Sequence, residues 1–293
     1  MVKLLFIFLI HKLIVIDLSI EIVFLGTGGG RFSMATQKRR TGGIRIISSK
    51  SNVHLDPGPG ALVYSIEMGL DPRKINGIIV SHAHPDHSND AAVMIEAMSE
   101  GTTKRRGVLL ASTSVLYGND VCEKVLSKYH QSLPSEVYEA KIDTSVVVGD
   151  LEVKVCKAVH SDPSTVGFRF KTQYGDFAYI PDSEYFDDVA EYYGGVRLII
   201  LSVLRPGGEP WEGHMTSVDA AKIINKVKPE KAIITHFGMH MIMKSPDSEA
   251  KWIENETGVP TIAARDGMRV RFGKNIDFSF MEKQTDLRRF FNY

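Results

Sequence analysis

The sequence has few cysteines and no excess of charge of either sign. Its 293 residues include two cysteines, and 35 lysines and arginines balance 35 aspartates and glutamates, so the formal net charge is zero. Cys122 and Cys156 lie far apart and outside any Cys-x-x-Cys spacing, which excludes a disulfide framework and a cysteine metal knuckle and favours a reducing, cytoplasmic compartment. Charge neutrality also excludes a general attraction to polyanions, although a local basic patch remains compatible with it.

Several sequence patterns of known chemistry are also missing. There is no G-x-x-x-x-G-K-S/T phosphate loop and no G-x-S-x-G nucleophile motif. The glycine run 26–30 follows a strand pattern, but Arg31 occupies the place of the third glycine of a dinucleotide loop, and no helical pattern opens there. We therefore expect a tight turn between two strands, in which glycine supplies positive φ angles.

Long apolar runs are confined to the N-terminus, where 15 of the first 20 residues are apolar. Charged residues interrupt this segment so that its longest unbroken apolar run, Leu4 to Ile10, has seven residues, and no small-residue cleavage site follows. Three interpretations remain open for residues 1–19: an additional edge segment, upstream residues translated ahead of the natural start, or a membrane anchor. We expect an appendage that the remaining domain does not need, and we regard membrane association as disfavoured.

Beyond this appendage, short β-branched runs alternate with segments of helical spacing, without a linker or an internal repeat. This order predicts one α/β domain over residues 20–293, with sheets inside and helices outside. The predicted strands are 20–25, 44–48, 53–55, 78–80, 108–111, 151–159, 167–171, 177–180, 198–201, 232–235 and 261–264. The predicted helices are 59–68, 90–98, 217–227 and 248–254.

The sequence Ser-His-Ala-His-Pro-Asp-His directly follows the apolar strand 77–80, and its last six positions hold four potential metal ligands. In an extended chain, His82 and His84 point the same way, and a turn directs Asp86 and His87 toward a second position nearby. Imidazoles with a carboxylate suit zinc, iron or manganese, and the lack of cysteine ligands favours a catalytic site over a closed structural one. The segment therefore predicts a metal site.

This HxHxDH segment resembles the metallo-β-lactamase fold superfamily, whose members carry five ordered motifs on a four-layer αββα sandwich. The other four motifs have candidates here in the expected order: an Asp after the second hairpin strand, a lone His, an Asp at a strand end, and a His after a late strand. These candidates are Asp56, His160, Asp182 and His236. The resemblance covers roughly residues 20–272 and implies the same α/β sandwich.

The resemblance also implies a role for each motif residue. Two divalent metal ions are expected, zinc first, with manganese or iron as alternatives, and a hydroxide that bridges them is the expected nucleophile. Asp86 is expected to be catalytic as well as a ligand, and Asp56 to accept hydrogen bonds from the ligand loops. The implied ligands are His82, His84 and His160 for one metal, Asp86, His87 and His236 for the other, and Asp182 as the bridge.

One further motif is similar to ribonuclease Z and related phosphodiesterases. Gly213-His214-Met-Thr precedes a helical segment, and a strand with Thr-His236-Phe follows. In that branch the first His contacts the scissile phosphate and gives a proton to the leaving group, which implies a catalytic role for His214. The alternative for His214 is a helix-capping or core histidine.

The glycine loop of such phosphodiesterases lines the substrate entrance. By this resemblance Arg31, Arg39 and Arg40 are expected to contact substrate, with solvated loop positions as the alternative.

The chain departs from ribonuclease Z where that family inserts a basic arm that clamps transfer RNA. Only residues 161–181 separate the third motif from the fourth, and no such arm fits there. Tight binding of structured RNA is therefore disfavoured, and we expect a phosphodiesterase for a small phosphodiester or a short oligonucleotide. Two alternatives stay open: an acyl hydrolase for lactones or thioesters, and a metal-binding interaction protein without turnover. Relatives often dimerise, so a homodimer through the N-terminus or the aromatic tail 290–293 is also compatible.

Overall fold

Two β-sheets lie face to face in this protein, for which a computed structural model describes residues 19–280. Residues 1–18 of the predicted appendage and the aromatic tail 290–293 lie outside the described residues. The strands are β1 (Ile20–Phe24), β2 (Ile44–Ile47), β3 (Asn52–Leu55), β4 (Gly77–Val80), β5 (Val108–Ala111), β6 (Glu136–Glu139), β7 (Ser145–Val148), β8 (Leu151–Lys157), β9 (Val166–Thr172), β10 (Gly175–Ile180), β11 (Leu198–Arg205), β12 (Met215–Thr216), β13 (Lys231–Thr235), β14 (Thr261–Ala263), β15 (Met268–Phe272) and β16 (Ile276–Phe280).

Helices connect the strands, and the two longest cover residues 217–227 and 246–257. They are α1 (Gly30–Thr36), α2 (Ala61–Glu67), α3 (Pro85–Ser88), α4 (Ala91–Met98), α5 (Thr113–Leu116), α6 (Lys128–Ser132), α7 (Val189–Tyr193), α8 (Ser217–Val227), α9 (Met239–Lys244) and α10 (Pro246–Thr257), with a 3₁₀ turn at Pro72–Lys74. Within residues 19–280, none of these helices has the length and apolar character needed to cross a membrane.

The first sheet has the strand order β16-β15-β1-β2-β3-β4-β5-β6, and the second β14-β13-β11-β10-β9-β8-β7, with β12 paired to β11. Their facing sides bury one apolar core, in which the rings of Phe170 and Phe177 stack 4.6 Å apart. The outer sides are covered by helices, with Met94 of α4 buried against the first sheet and Ile224 of α8 against the second. The predicted four-layer αββα sandwich is therefore confirmed.

The glycine run differs from the sequence prediction, because α1 begins at Gly30, where no helix was expected. Gly30 has a φ of 74°, which lets the chain turn sharply into the helix, and its N–H donates a 2.7 Å hydrogen bond to Asp86 Oδ2. The expectation of a tight strand-to-strand turn is wrong, since the link from β1 to β2 contains this helix. A long-range hydrogen bond fixes the link, and local sequence spacing does not encode it.

The topology gathers the motif residues at one edge of both sheets. Strands β3, β4 and β5 are mutually parallel in the first sheet, as are β10, β11 and β13 in the second. Because carboxyl ends of parallel strands meet at the same sheet edge, the loops that follow them converge. Asp56 follows β3, His82 follows β4, Asp182 follows β10 and His236 follows β13.

Candidate metal centre

Three histidines and one aspartate form the first ligand group. His84 Nδ1 lies 3.1 Å from His82 Nε2 and 3.0 Å from His160 Nε2, so three ring nitrogens converge. Asp182 Oδ2 lies 3.8 Å from His160 Nε2. The four residues offer ligand atoms that all lie within 4.8 Å of one another, which makes the group able to hold a metal ion.

The second group shares Asp182 with the first and adds the other predicted ligands. His87 Nε2 lies 2.9 Å from His236 Nε2, and Asp86 Oδ2 lies 3.2 Å from the same His236 atom. Asp182 Oδ2 is 3.6 Å from His87 Nε2. Asp182 is therefore the one residue that belongs to both groups found in residues 19–280.

Two buried polar atoms in these groups have no hydrogen-bond partner within residues 19–280, which is compatible with a role as metal ligands. His236 Nδ1 and Asp182 Oδ1 lie 3.0 Å apart, yet neither has a partner in hydrogen-bond geometry among the described residues. Buried polar atoms without partners are costly, and an imidazole nitrogen and a carboxylate oxygen close together are typical donors to a divalent metal. The donor set therefore fits the two divalent cations that the motifs imply.

The protonation states of His82, His160 and Asp182 suit metal binding. Burial lowers the pKa of His82 well below its usual value and that of His160 to about 4, so these rings are neutral and carry free lone pairs. Burial acts to raise the pKa of Asp182, but His236 and His87 outweigh it and hold that pKa well below its usual value. Metal ligands must be neutral imidazoles and ionised carboxylates, and these three groups are in that state. At His87, burial acts to lower the pKa, but Asp182 and Asp86 outweigh burial and raise it well above its usual value, so a cation would have to displace the His87 proton.

Asp56 lies behind the ligands rather than among them. Its carboxylate accepts hydrogen bonds from the Ser81 N–H and the Ser81 hydroxyl, both at 2.7 Å, and from the Tyr179 hydroxyl at 3.0 Å. His87 Nδ1 lies 2.9 Å from the same carboxylate, which leaves His87 Nε2 directed at the second group. Asp56 thus connects β3, the ligand loop and β10 around a buried charge.

Backbone conformation at the centre is unusual at two ligand-loop positions. Asp56 and His236 have φ angles of 50° and 61°, in the left-handed region that residues other than glycine and asparagine seldom adopt. Gly29 lies so close to His236 that a Cβ atom there would come within 2.1 Å of the imidazole. The glycine run is therefore required for a close approach to a candidate ligand.

His214 lies at the rim of the centre, with its side chain 14% exposed. Its Nε2 is 3.2 Å from Asp182 Oδ2, and its Nδ1 is 2.9 Å from the carbonyl oxygen of Glu212. Burial acts to lower the pKa of His214, but the hydrogen bond to Asp182 outweighs burial, and the pKa is raised. The helix-capping alternative is wrong, because the cap of α8 is Thr216, which forms a capping box with Asp219.

The three predicted substrate arginines differ in their surroundings. Arg40 forms a 3.0 Å ion pair with Glu67, and Arg39 Nη1 donates hydrogen bonds to the Thr27 hydroxyl at 3.3 Å and the Ala264 carbonyl at 3.4 Å. Both guanidinium groups thus have partners within the protein through one nitrogen each, and their remaining N–H groups are available to a ligand. Substrate contact by Arg39 and Arg40 therefore stays a prediction.

Arg31 remains a candidate for substrate contact. It is exposed, it has no hydrogen-bonding or ionic partner in the described part of the chain, and it follows the Gly30 N–H that binds Asp86. Arg31 therefore lies one residue from a direct contact with the second ligand group.

One buried acid near the first group was missed by sequence reasoning. The Asp162 carboxylate accepts hydrogen bonds from the Ala83 N–H at 3.1 Å, the Ser114 hydroxyl at 2.5 Å and the Asn119 amide at 2.8 Å. Ala83 separates His82 from His84, so Asp162 fixes the backbone between two candidate ligands. The only signal in the sequence is a carboxylate two residues after His160, and its partners are distant along the chain.

Three further histidines lie outside both ligand groups. His54 is fully buried, where its Nδ1 accepts a hydrogen bond from Arg45, and His130 lies 3.2 Å from Glu96 near the surface. His240, undecided from sequence, is exposed and lies 2.7 Å from Glu209.

Comparisons with known proteins agree with the fold and the motifs. The model of the β-lactamase superfamily domain matches residues 51–237. An uncharacterized protein of Methanocaldococcus jannaschii, MJ1374, is 42% identical over 255 residues, which cover 86% of this chain and 95% of that protein. Ribonuclease Z of Methanopyrus kandleri is 25% identical over 159 residues, and this alignment spans about half of each protein, 53% of this chain and 52% of the enzyme.

A solved structure is also similar. The metallo-β-lactamase fold protein YhfI from Bacillus subtilis superposes with a TM-score of 0.73 at 17% identity, over 86% of this chain and 99% of that one. At this identity the likeness concerns the fold alone. Residues 161–181, all described, form β9 and β10 in place of an inserted arm.

Proposed function

The chain belongs to the β-lactamase superfamily, in its ribonuclease Z-like branch, and from this membership we propose that it is a phosphodiesterase that uses two divalent metal ions. One observation carries the proposal: Asp182 joins two ligand groups, and His214 Nε2 lies 3.2 Å from that shared carboxylate. A phosphodiesterase of the two-metal type needs a place for two cations and a proton donor beside them. This arrangement supplies both.

Each ligand group would bind one of the two cations. His82, His84 and His160 would hold one cation and Asp86, His87 and His236 the other, and Asp182 belongs to both ligand groups. When bound, two such cations supply Lewis acidity and a water molecule of lowered pKa.

His214 is the proposed general acid. Its Nδ1 faces the Glu212 carbonyl, so Nδ1–H donates there and Nε2 is directed at the reaction site, where it can give a proton to the leaving oxygen. Asp86 fixes the position of α1 through Gly30, and we propose Arg31 as a contact for the phosphate.

A small substrate is favoured over structured RNA. Residues 161–181, between the third and fourth motifs, contain the core strands β9 and β10 and no inserted arm, and the formal net charge is zero. Tight binding of a folded polyanion depends on many Lys and Arg contacts to phosphates. We therefore propose a small phosphodiester or a short oligonucleotide as substrate.

Zinc-loaded protein is expected to hydrolyse bis(p-nitrophenyl) phosphate and 2′,3′-cyclic nucleotides, and to contain about two zinc ions per chain. Removal of the metal with a chelator should abolish turnover, and added zinc or manganese should restore it. Release of p-nitrophenol and elemental analysis measure the two quantities. Clear hydrolysis of lactones or thioesters without any phosphodiester turnover would instead identify an acyl hydrolase. Two bound metals without any turnover would identify an interaction protein.

Replacement of His214 by Ala is expected to lower kcat by roughly 10² to 10⁴ while both metals remain bound, because general acid catalysis typically contributes that factor. Leaving-group dependence provides the specific measurement. A substrate with p-nitrophenol as leaving group needs little proton donation and should lose less activity than one with an alkoxide leaving group. His240→Ala is a suitable control, since this histidine lies outside both ligand groups. Equal losses for both leaving groups would contradict the general-acid role.

A further inference from the structure

An exposed tryptophan lies directly beside His214. Trp211 and His214 form an isolated antiparallel bridge, and the His214 N–H donates a 3.1 Å hydrogen bond to the Trp211 carbonyl. Directly opposed residues of an antiparallel pair have neighbouring Cα atoms, so the bridge places the backbone of Trp211 next to that of His214. Gly213, in the turn between them, accepts a 2.6 Å hydrogen bond from His160 Nδ1 and donates one of 2.6 Å to Glu184. Trp211 is therefore held in a fixed position relative to the metal centre.

One face of this indole is covered by a cation, and the rest is open. The Arg205 guanidinium carbon lies 4.7 Å from the centre of the indole ring, at the end of β11. Trp211 nevertheless remains 56% exposed among the described residues. A planar group that approaches the metal centre would thus meet an aromatic surface whose opposite face already interacts with a positive charge.

The surroundings of the indole are polar. Glu209 Oε2 lies 3.8 Å from Arg205 Nη1 and 2.7 Å from His240 Nδ1. An alkyl chain would place its apolar surface against these charged and polar groups. A flat heterocycle with polar edges suits the site better, because it stacks on the ring and presents hydrogen-bonding groups to its rim.

We propose that Trp211, supported by Arg205, is a stacking surface for a nucleobase on the leaving-group side of the scissile phosphodiester. This inference rests on the proposed function and specifies its substrate class as nucleoside-bearing phosphodiesters. The leaving-group side follows from His214, since the proposed proton donor is the residue with which Trp211 pairs across the turn.

The test compares three substrates with zinc-loaded protein: adenylyl adenosine and two analogues, each of which lacks one of the two bases. Loss of the leaving-side base is expected to lower kcat/KM about tenfold, whereas loss of the other base should have a smaller effect. Trp211→Ala should lower kcat/KM for the intact dinucleotide by a similar factor of about ten. In this variant, kcat/KM should be the same with and without the leaving-side base. Trp211→Phe should restore most of the preference, because it keeps an aromatic face.

Trp252→Ala is the matched control, since the second tryptophan of the chain lies on α10 and contributes to neither ligand group. Binding of AMP against ribose 5-phosphate, measured by calorimetry on the same zinc-loaded variants, gives a readout without turnover. We expect a preference of about tenfold for AMP that Trp211→Ala abolishes.

Hydrolysis that is insensitive to the bases and to Trp211 would overturn the stacking surface and leave the proposed function intact. A Trp211-dependent preference for AMP without any phosphodiester turnover would support the stacking surface and overturn the proposed function. If Trp211→Ala loses zinc or unfolds, Trp211→Phe decides: a lost base preference in that folded variant contradicts stacking, and a retained preference supports it.

Discussion

Asp182→Asn is expected to lower hydrolysis by about a thousandfold or more and to reduce the zinc content below two per chain. Asp182 is the residue that both ligand groups share, and its carboxylate is only 3% exposed. Asparagine keeps the shape of the side chain but removes the negative charge that would balance two cations. A loss of several kcal/mol of charge stabilisation corresponds to at least about three orders of magnitude in rate. Initial rates with bis(p-nitrophenyl) phosphate and elemental analysis of the same sample measure both effects.

Asp187→Asn is the control for this substitution. Asp187 lies five residues beyond Asp182, and its side chain is 92% exposed. The exchange of one exposed carboxylate for an amide should therefore leave rate and zinc content unchanged. Circular dichroism of both variants separates a local loss of metal from unfolding. A folded Asp182→Asn protein with two zinc ions and full activity would show that the two ligand groups do not form one reaction site.

Part of the candidate ligand set could be predicted from local spacing in the sequence. His82 and His84 share a side through the two-residue period of an extended chain, and both follow the buried strand β4. His160, Asp182 and His236 also follow strands, and parallel strands bring their carboxyl ends to one edge. Spacing thus predicts that His82, His84, Asp86 and His87 lie close together, whereas the resemblance to the superfamily motifs identifies His160, Asp182 and His236. The structure brings all seven together.

Other features could not be predicted from the sequence, because they depend on contacts between residues far apart along the chain. Arg40 pairs with Glu67 on α2, and nothing in the sequence around Arg40 marks that partner. The strand β6 has the sequence Glu-Val-Tyr-Glu, whose side chains are largely exposed at the edge of the first sheet, so its pattern lacks the apolar alternation of a buried strand. Trp211 gave no signal either, because its position beside His214 depends on a turn fixed by His160 and Glu184.

The second large effect is expected for Asp56→Ala, which should destabilise the protein by about 3 to 5 kcal/mol and weaken zinc binding by about 10- to 100-fold. The substitution leaves the Ser81 N–H, the Ser81 hydroxyl and the Tyr179 hydroxyl without their acceptor in a buried site. His87 also loses the carboxylate that orients its ring, and alanine tolerates the φ of 50° at this position poorly. The midpoint of urea unfolding should fall by about 1 M or more, and competition with a chromogenic chelator measures zinc affinity.

Asp56→Asn separates the two contributions, because it keeps the side-chain shape and tolerates the left-handed backbone but removes the charge. This variant should recover part of the stability lost in Asp56→Ala, because its amide oxygen still accepts while its NH2 group faces a buried donor. It should still bind zinc less tightly than the native protein, since an amide accepts the His87 N–H less strongly than a carboxylate does. Asp120→Ala, at an exposed loop position, should change neither quantity. Native stability together with native zinc affinity in Asp56→Ala would show that the ligand loops are fixed without this buried carboxylate, and that Tyr179 and Ser81 find other acceptors.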